Sequence, residues 1–175
     1  MMSESEATPA PVGGSLFSRI LMGILGLLLG LLISLATFYR LTEIGWALSS
    51  DIPDEFSDQI RIMQMLFKLV AALCLAIIVS SIATFINTAW APKALLGSTV
   101  AMCVLLLGCG IYEYIIIDAV YGDQLSSEEI PWRYKPMTTI SMLMAYISLF
   151  FGGLIWLIDY LRRGKDMVPA ATEDG

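Results

Sequence analysis

Charged residues along this chain are spaced so that four long uncharged runs remain. Residues 20–39 lie between Arg19 and Arg40, 69–92 between Lys68 and Lys93, 94–112 between Lys93 and Glu113, and 136–158 between Lys135 and Asp159. Each run has roughly 20 residues, and a helix needs about 20 to cross a hydrocarbon core ~30 Å thick. Barrel strands would alternate apolar and polar positions over about 10 residues, and these runs do not alternate. Backbone exposed to lipid must satisfy its own N–H and C=O groups. The pattern therefore predicts an all-α integral membrane protein, a four-helix transmembrane bundle of two antiparallel hairpins. The predicted helices cover about 17–40, 53–90, 94–118 and 136–161, within a membrane domain of 17–163. Tails at 1–16 and 164–175 are expected to be disordered, since they are rich in small, polar and acidic residues.

Local signals refine the ends. The first run exceeds the 7–15 apolar residues of a secretory signal and leads into Leu35-Ala36-Thr37-Phe38-Tyr39-Arg40 with no small-residue cleavage site, so it reads as a retained anchor. Ser50-Asp51-Ile52-Pro53-Asp54-Glu55 has a capping side chain, an early proline and acids that suit a helix dipole. Helix 2 is thus expected to begin near Pro53, outside the membrane. Helix 4 opens similarly at Lys135-Pro136, and Trp90-Ala91-Pro92-Lys93 is a tight reversal between helices 2 and 3. Tyr39, Trp46, Trp90, Tyr112, Tyr114, Tyr121, Trp132, Tyr134, Trp156 and Tyr160 fall near span ends, as interfacial aromatic belts do. Ser49-Ser50-Asp51-Ile52-Pro53 and Ser126-Ser127-Glu128-Glu129-Ile130-Pro131 echo each other in the two outer loops, a match short enough to be chance.

Basic residues set orientation. Arg19, Lys93, Arg162, Arg163 and Lys165 fall on one side, Arg40, Arg61, Arg133 and Lys135 on the other, with Lys68 ambiguous. The Arg162-Arg163-Gly164-Lys165 cluster tips the balance and places both termini in the cytoplasm. Without an Arg-rich amphipathic presequence, a bacterial cytoplasmic membrane is the expected location.

Lipid tails are as apolar as leucine, so helices associate where small residues let their backbones approach. Helix 1 offers Gly26-x-x-x-Gly30-x-x-x-Ser34 with Gly23 alongside, and helix 2 offers Ala72, Ala76, Ser80 and Thr84. Helix 3 has Gly97-x-x-x-Ala101, Gly108 and Gly110; helix 4 has Ser141, Ala145, Ser148 and Gly152. These rows either close the bundle or, for helix 1 above all, face another protein or a second copy.

Composition narrows the chemistry. Apolar residues make up 57% and charged residues 15%, against about 25% charged in soluble domains; the mean hydropathy is +0.76. A net charge of −6 with no basic stripe excludes nucleic-acid binding. The chain has no histidine, which removes His-ligated metals and His-based triads. Cys74, Cys103 and Cys109 lie in apolar spans without metal-ligand spacing, and Met63/Met65 and Met142/Met144 are two apart, on different helix faces. The acidic outer loops lack EF-hand spacing. No metal or cofactor is expected.

Ionisable residues at membrane depth remain, and they are functional candidates by default. Glu113 and Lys68 lie at similar depth near the outer ends of helices 3 and 2 and form a candidate intramembrane ion pair, a gate or proton site. The alternative has Lys68 snorkelling and Glu113 at headgroup level. Asp159 with Arg162 and Arg163, at i+3 and i+4, reads as a local ion pair at the cytoplasmic interface, with Lys165 beside it. No nucleophile–base pair or phosphate loop occurs, so the chain is not expected to be an enzyme. The reading is a non-catalytic accessory, assembly or stabilising subunit whose partners are the lipid bilayer and other membrane subunits or itself. The short four-span layout resembles the small membrane subunits of binding-protein-dependent secondary transporters, in layout alone. That implies the alternative of a transporter or channel component with Glu113 and Lys68 near the pathway. A membrane-embedded enzyme subunit handling lipid or quinone is the third class.

Overall fold

The computed structural model describes residues 16–49, 54–121 and 140–166. These form four α-helices and no strand: α1 Leu16–Ser49, α2 Asp54–Phe85, α3 Ala91–Tyr121 and α4 Ile140–Asp166. Each is long and apolar enough to cross a bilayer, over Leu16–Gly45, Ser57–Phe85, Ala91–Ile116 and Ile140–Arg163. At 34, 32, 31 and 27 residues they exceed a single span, for which about 20 suffice; the excess tilts the helices or carries them past the hydrocarbon.

The ends differ from the sequence reading in places. α1 continues past Arg40 to Ser49, because nothing between residues 41 and 49 breaks a helix except Gly45, which a helix tolerates. α2 stops at Phe85, short of Trp90. The stop is a Schellman cap: Asn87 takes the left-handed conformation at φ 66°, the Thr88 N–H donates to the Ala83 carbonyl and the Asn87 N–H to the Thr84 carbonyl. α3 then starts at Ala91, with Pro92 in its first turn, where its missing N–H costs nothing. Leu16 and residues 164–166 are helical rather than tail. The Pro53 start, the Lys135-Pro136 opening, the loop echo, most of both tails and the side chains of Trp46, Tyr121, Trp132 and Tyr134 lie outside the described residues.

α1 packs on α2 and α4, and α3 on the same two, closing a ring. Contacts fix the directions. Gly23, Gly26 and Gly30 of α1 meet Phe85, Ser81 and Ile78 of α2 in descending order, and Gly110 and Gly152 meet Met142 and Thr99 between α3 and α4. Both hairpins are therefore antiparallel. One end of the bundle carries the start of α1 and the end of α4 (the terminal end); the other carries the α1–α2 and α3–α4 connections (the loop end).

Inward positions recur at steps of three, four or their sum, the seam of left-handed bundles. On α1 the seam is Met22, Gly26, Leu29, Ile33 and Thr37; on α2 Met63, Phe67, Val70, Cys74, Ile77, Ser81 and Thr84. On α3 it is Leu95, Thr99, Met102, Leu106, Cys109 and Glu113; on α4 Ser141, Ala145, Ser148, Ile155 and Asp159. The outer faces carry Leu28, Leu35, Val79, Val104, Leu149 and other large apolar side chains in the open, an exposure stable in lipid.

Candidate functional site

At the loop end the seam of α1 reaches Arg40, seven residues (about two turns) beyond Ile33. Its guanidinium crosses the interior to α3. Nε donates to Glu113 Oε1 at 2.9 Å, Nη2 donates to the same oxygen, and Nη1 donates to Glu43 Oε2 at 2.6 Å. Glu113 is 3% exposed, Arg40 19% and Glu43 33%. One cation thus serves a fully buried carboxylate across the bundle and a half-buried one on its own helix. Taking Glu113 out of water costs several kcal/mol in general, so its charge is tolerable there only while Arg40 is paired with it. Glu113 Oε2 is buried and makes no hydrogen bond.

Lys68 does not share this site. Phe67 fills the α2 position at this level, and Lys68, about 100° round the helix from it, is exposed on the outer surface. The Lys68–Glu113 pairing suggested by depth is replaced by Arg40–Glu113, since two residues at one depth meet only if both lie on inward seams. The same spacing rule carried on from Ile33 would have indicated Arg40.

Six of the buried hydroxyls fall into two sets. Those of Ser81, Thr84 and Thr99 donate to carbonyls of their own helix, to Ile77 at 2.7 Å, Ser80 at 2.8 Å and Leu95 at 2.7 Å, the ordinary way to satisfy a hydroxyl in a membrane helix. Those of Thr37, Ser141 and Ser148 are also buried and make no such bond. Thr37 and Ser141 lie toward the loop end, just inside the Arg40–Glu113 pair.

Small residues are used selectively. A Cβ at Gly23 would lie 2.7 Å from the Phe85 ring, one at Gly26 would overlap Ser81 Oγ and one at Gly30 would lie 2.6 Å from Ile78, so this ridge faces α2. Ser34 sits beside Cys74. Ser141 and Ala145 are buried, and a Cβ at Gly152 would lie 2.8 Å from Thr99. Helix 2 departs from the expectation: Ser80 and Thr84 are buried while Ala72 and Ala76 are exposed. A row spaced by four drifts about 40° per step on a straight helix, so its ends cannot share a face. On α3, Gly97, Ala101 and Gly108 are exposed, with nothing within 4 Å of a Cβ at either glycine.

At the terminal end Asp159, 3% exposed, accepts from Arg163 at 2.6 Å and has Arg162 at 3.8 Å. The Lys165 side chain lies outside the described residues. Trp156 and Tyr160 stack beside them on the outer face, centroids 5.6 Å apart. Met63 and Met144 are buried while Met65 is exposed. Cys74, Cys103 and Cys109 are free thiols. Among the described residues no three His, Cys, Asp or Glu side chains converge as metal ligands would.

Comparison with protein-family models, with curated proteins and with solved structures gave no match. What the chain establishes by itself is an integral membrane bundle of four apolar helices, tied across its interior, among the described residues, by the Arg40–Glu113 pair.

Proposed function

We propose that this protein is a non-catalytic tetraspan subunit that stabilises or assembles a larger membrane complex, docking through the outer face of α3. One observation carries the reading. Gly97, Ala101, Val104 and Gly108 are spaced by four, three and four, and all are exposed. Gly97 is about 200° round the helix from the inward residue Leu95, so the stripe points straight out of the bundle. Each helical glycine costs about 1 kcal/mol relative to alanine, and at Gly97 and Gly108 the space where a Cβ would stand is open, with nothing else within 4 Å of it. A second transmembrane helix, approaching closely over small residues, would offset that cost. The glycines of α1 are already packed against α2, so this reading assigns the partner to α3 rather than to helix 1.

A photo-crosslinking residue at Val104, compared with one at Leu35 on α1, tests this in native membranes. The reading expects a protein adduct of discrete mass at Val104, absent at Leu35 and lost with Gly97→Leu and Gly108→Leu, while the isolated variants keep wild-type stability. Lipid adducts alone at both positions, with a solubilised mass of a single chain, would remove it. The transport alternative draws on a different observation, the buried Glu113 oxygen without a partner. It requires Glu113→Gln to abolish flux in a complex that still assembles.

A further inference from the structure

Toward the loop end, the lining of a groove of about 500 Å³ on α1 includes Leu32, Ala36, Tyr39 and Thr42, with Ile140 from the start of α4. Its lining is apolar apart from Tyr39 and Thr42, and its α1 residues fall within the span Leu16–Gly45. Leu32, Ala36, Tyr39 and Glu43 follow one another by four, three and four, the spacing of one stripe along a helix. Glu43 therefore stands one turn beyond Tyr39, at the loop-end head of the groove and next in the chain to its lining residue Thr42. Thr42 follows Leu32 by ten residues, about 15 Å of helix. That is half of a hydrocarbon core ~30 Å thick, the depth of a single leaflet.

The charge at that head follows from the ion pairs already described. Arg40 donates through Nη1 to Glu43 and through Nε and Nη2 to Glu113. One guanidinium answers two carboxylates, so the three side chains together carry one negative charge in excess. Glu113 is closed off at 3% exposed, whereas Glu43, at 33%, is the carboxylate that an arriving cation can reach. A partly buried charge is screened less than an open one. Tyr39, four residues before Glu43, is exposed, and an aromatic ring beside a carboxylate suits an ammonium group. A hydrocarbon chain one leaflet deep and a cationic head together describe a lipid with an ammonium headgroup. A primary ammonium brings three N–H donors to a carboxylate, and a trimethylated one brings none. We infer that the α1 groove holds an acyl chain of phosphatidylethanolamine, with the lipid's ammonium paired to Glu43.

Native mass spectrometry of the full chain in neutral detergent tests this, with phosphatidylethanolamine, phosphatidylcholine and phosphatidylglycerol of identical acyl chains as probes. The wild-type chain retains phosphatidylethanolamine at least tenfold more tightly than either of the others, and free ethanolamine at millimolar concentration does not displace it. Glu43→Gln removes that preference. Asp58→Asn, the same change of charge at an exposed acid of α2 near the loop end, leaves it intact. Ala36→Trp, which fills the groove, weakens retention of phosphatidylethanolamine at least tenfold. Equal retention of the three lipids by the wild-type chain, or a preference for phosphatidylglycerol, overturns the inference without recourse to variants. A preference that survives Glu43→Gln overturns the place of the headgroup, and displacement by free ethanolamine overturns that of the acyl chain.

Discussion

Gly26→Ala puts the packing of α1 on α2 to a quantitative test. The new methyl would overlap Ser81 Oγ and lie 2.9 Å from Leu95 Cδ1, and Leu95 is itself fully buried. Ser81 can make room only by rotating away, which breaks its 2.7 Å hydrogen bond to the Ile77 carbonyl. Overpacking of this kind costs about 1–3 kcal/mol, and a buried hydroxyl without a partner costs about 1–3 kcal/mol where it cannot find another. Replacing glycine by alanine in a helix returns about 1 kcal/mol. The net expectation is a loss of about 3 kcal/mol, a factor of roughly 150 in the folded-to-unfolded ratio. The same substitution at Gly97 or Gly108, where no atom lies within 4 Å of the added Cβ, should be neutral or stabilising by up to about 1 kcal/mol. Reversible unfolding in mixed micelles of mild detergent and dodecyl sulfate, followed by circular dichroism, measures both. If Gly26→Ala is as stable as the wild type, or if Gly97→Ala loses as much as Gly26→Ala, the assignment of the α1 ridge to the interior is wrong.

Two further outcomes follow from other parts of the fold. Asn87 is held at positive φ in the α2 cap, so Asn87→Val should cost about 1–2 kcal/mol and Asn87→Gly should cost nothing measurable in the same assay. An even number of spans puts the start of α1 and the end of α4 on one side. Cysteines introduced for Ser18 and Lys165 should therefore react with an impermeant maleimide from the same face of sealed vesicles.

The spans were legible because charge is the costliest feature to bury in lipid, and its positions along the chain bound the helices directly. The cap at Asn87 and the run of α1 past Arg40 were not, since both depend on local backbone geometry that a count of charges does not sense. Rotation of each helix was the larger difficulty. In a soluble helix the apolar stripe marks the inward face; here Leu28 and Leu29, one exposed and one buried, are the same residue type. Only small and polar residues break the ambiguity. Gly26 and Gly30 lie on the face that meets α2 and Ser148 is buried, whereas Ala72 and Ala76 are exposed, because a spacing of four winds off the seam. Arg40 was passed over for Lys68 for the same reason: depth was readable, azimuth was not.

The central structural claim is that Arg40 of α1, and not Lys68 of α2, compensates the buried charge of Glu113, and a double-mutant cycle tests it most directly. Arg40→Met should cost about 3–5 kcal/mol by leaving Glu113 buried and unpaired. Adding Glu113→Leu should recover most of that loss, giving a coupling of at least about 2 kcal/mol, while the cycle with Lys68→Met should give a coupling near zero. Additive losses for Arg40 and Glu113, or a coupling that appears with Lys68 instead, would contradict the account.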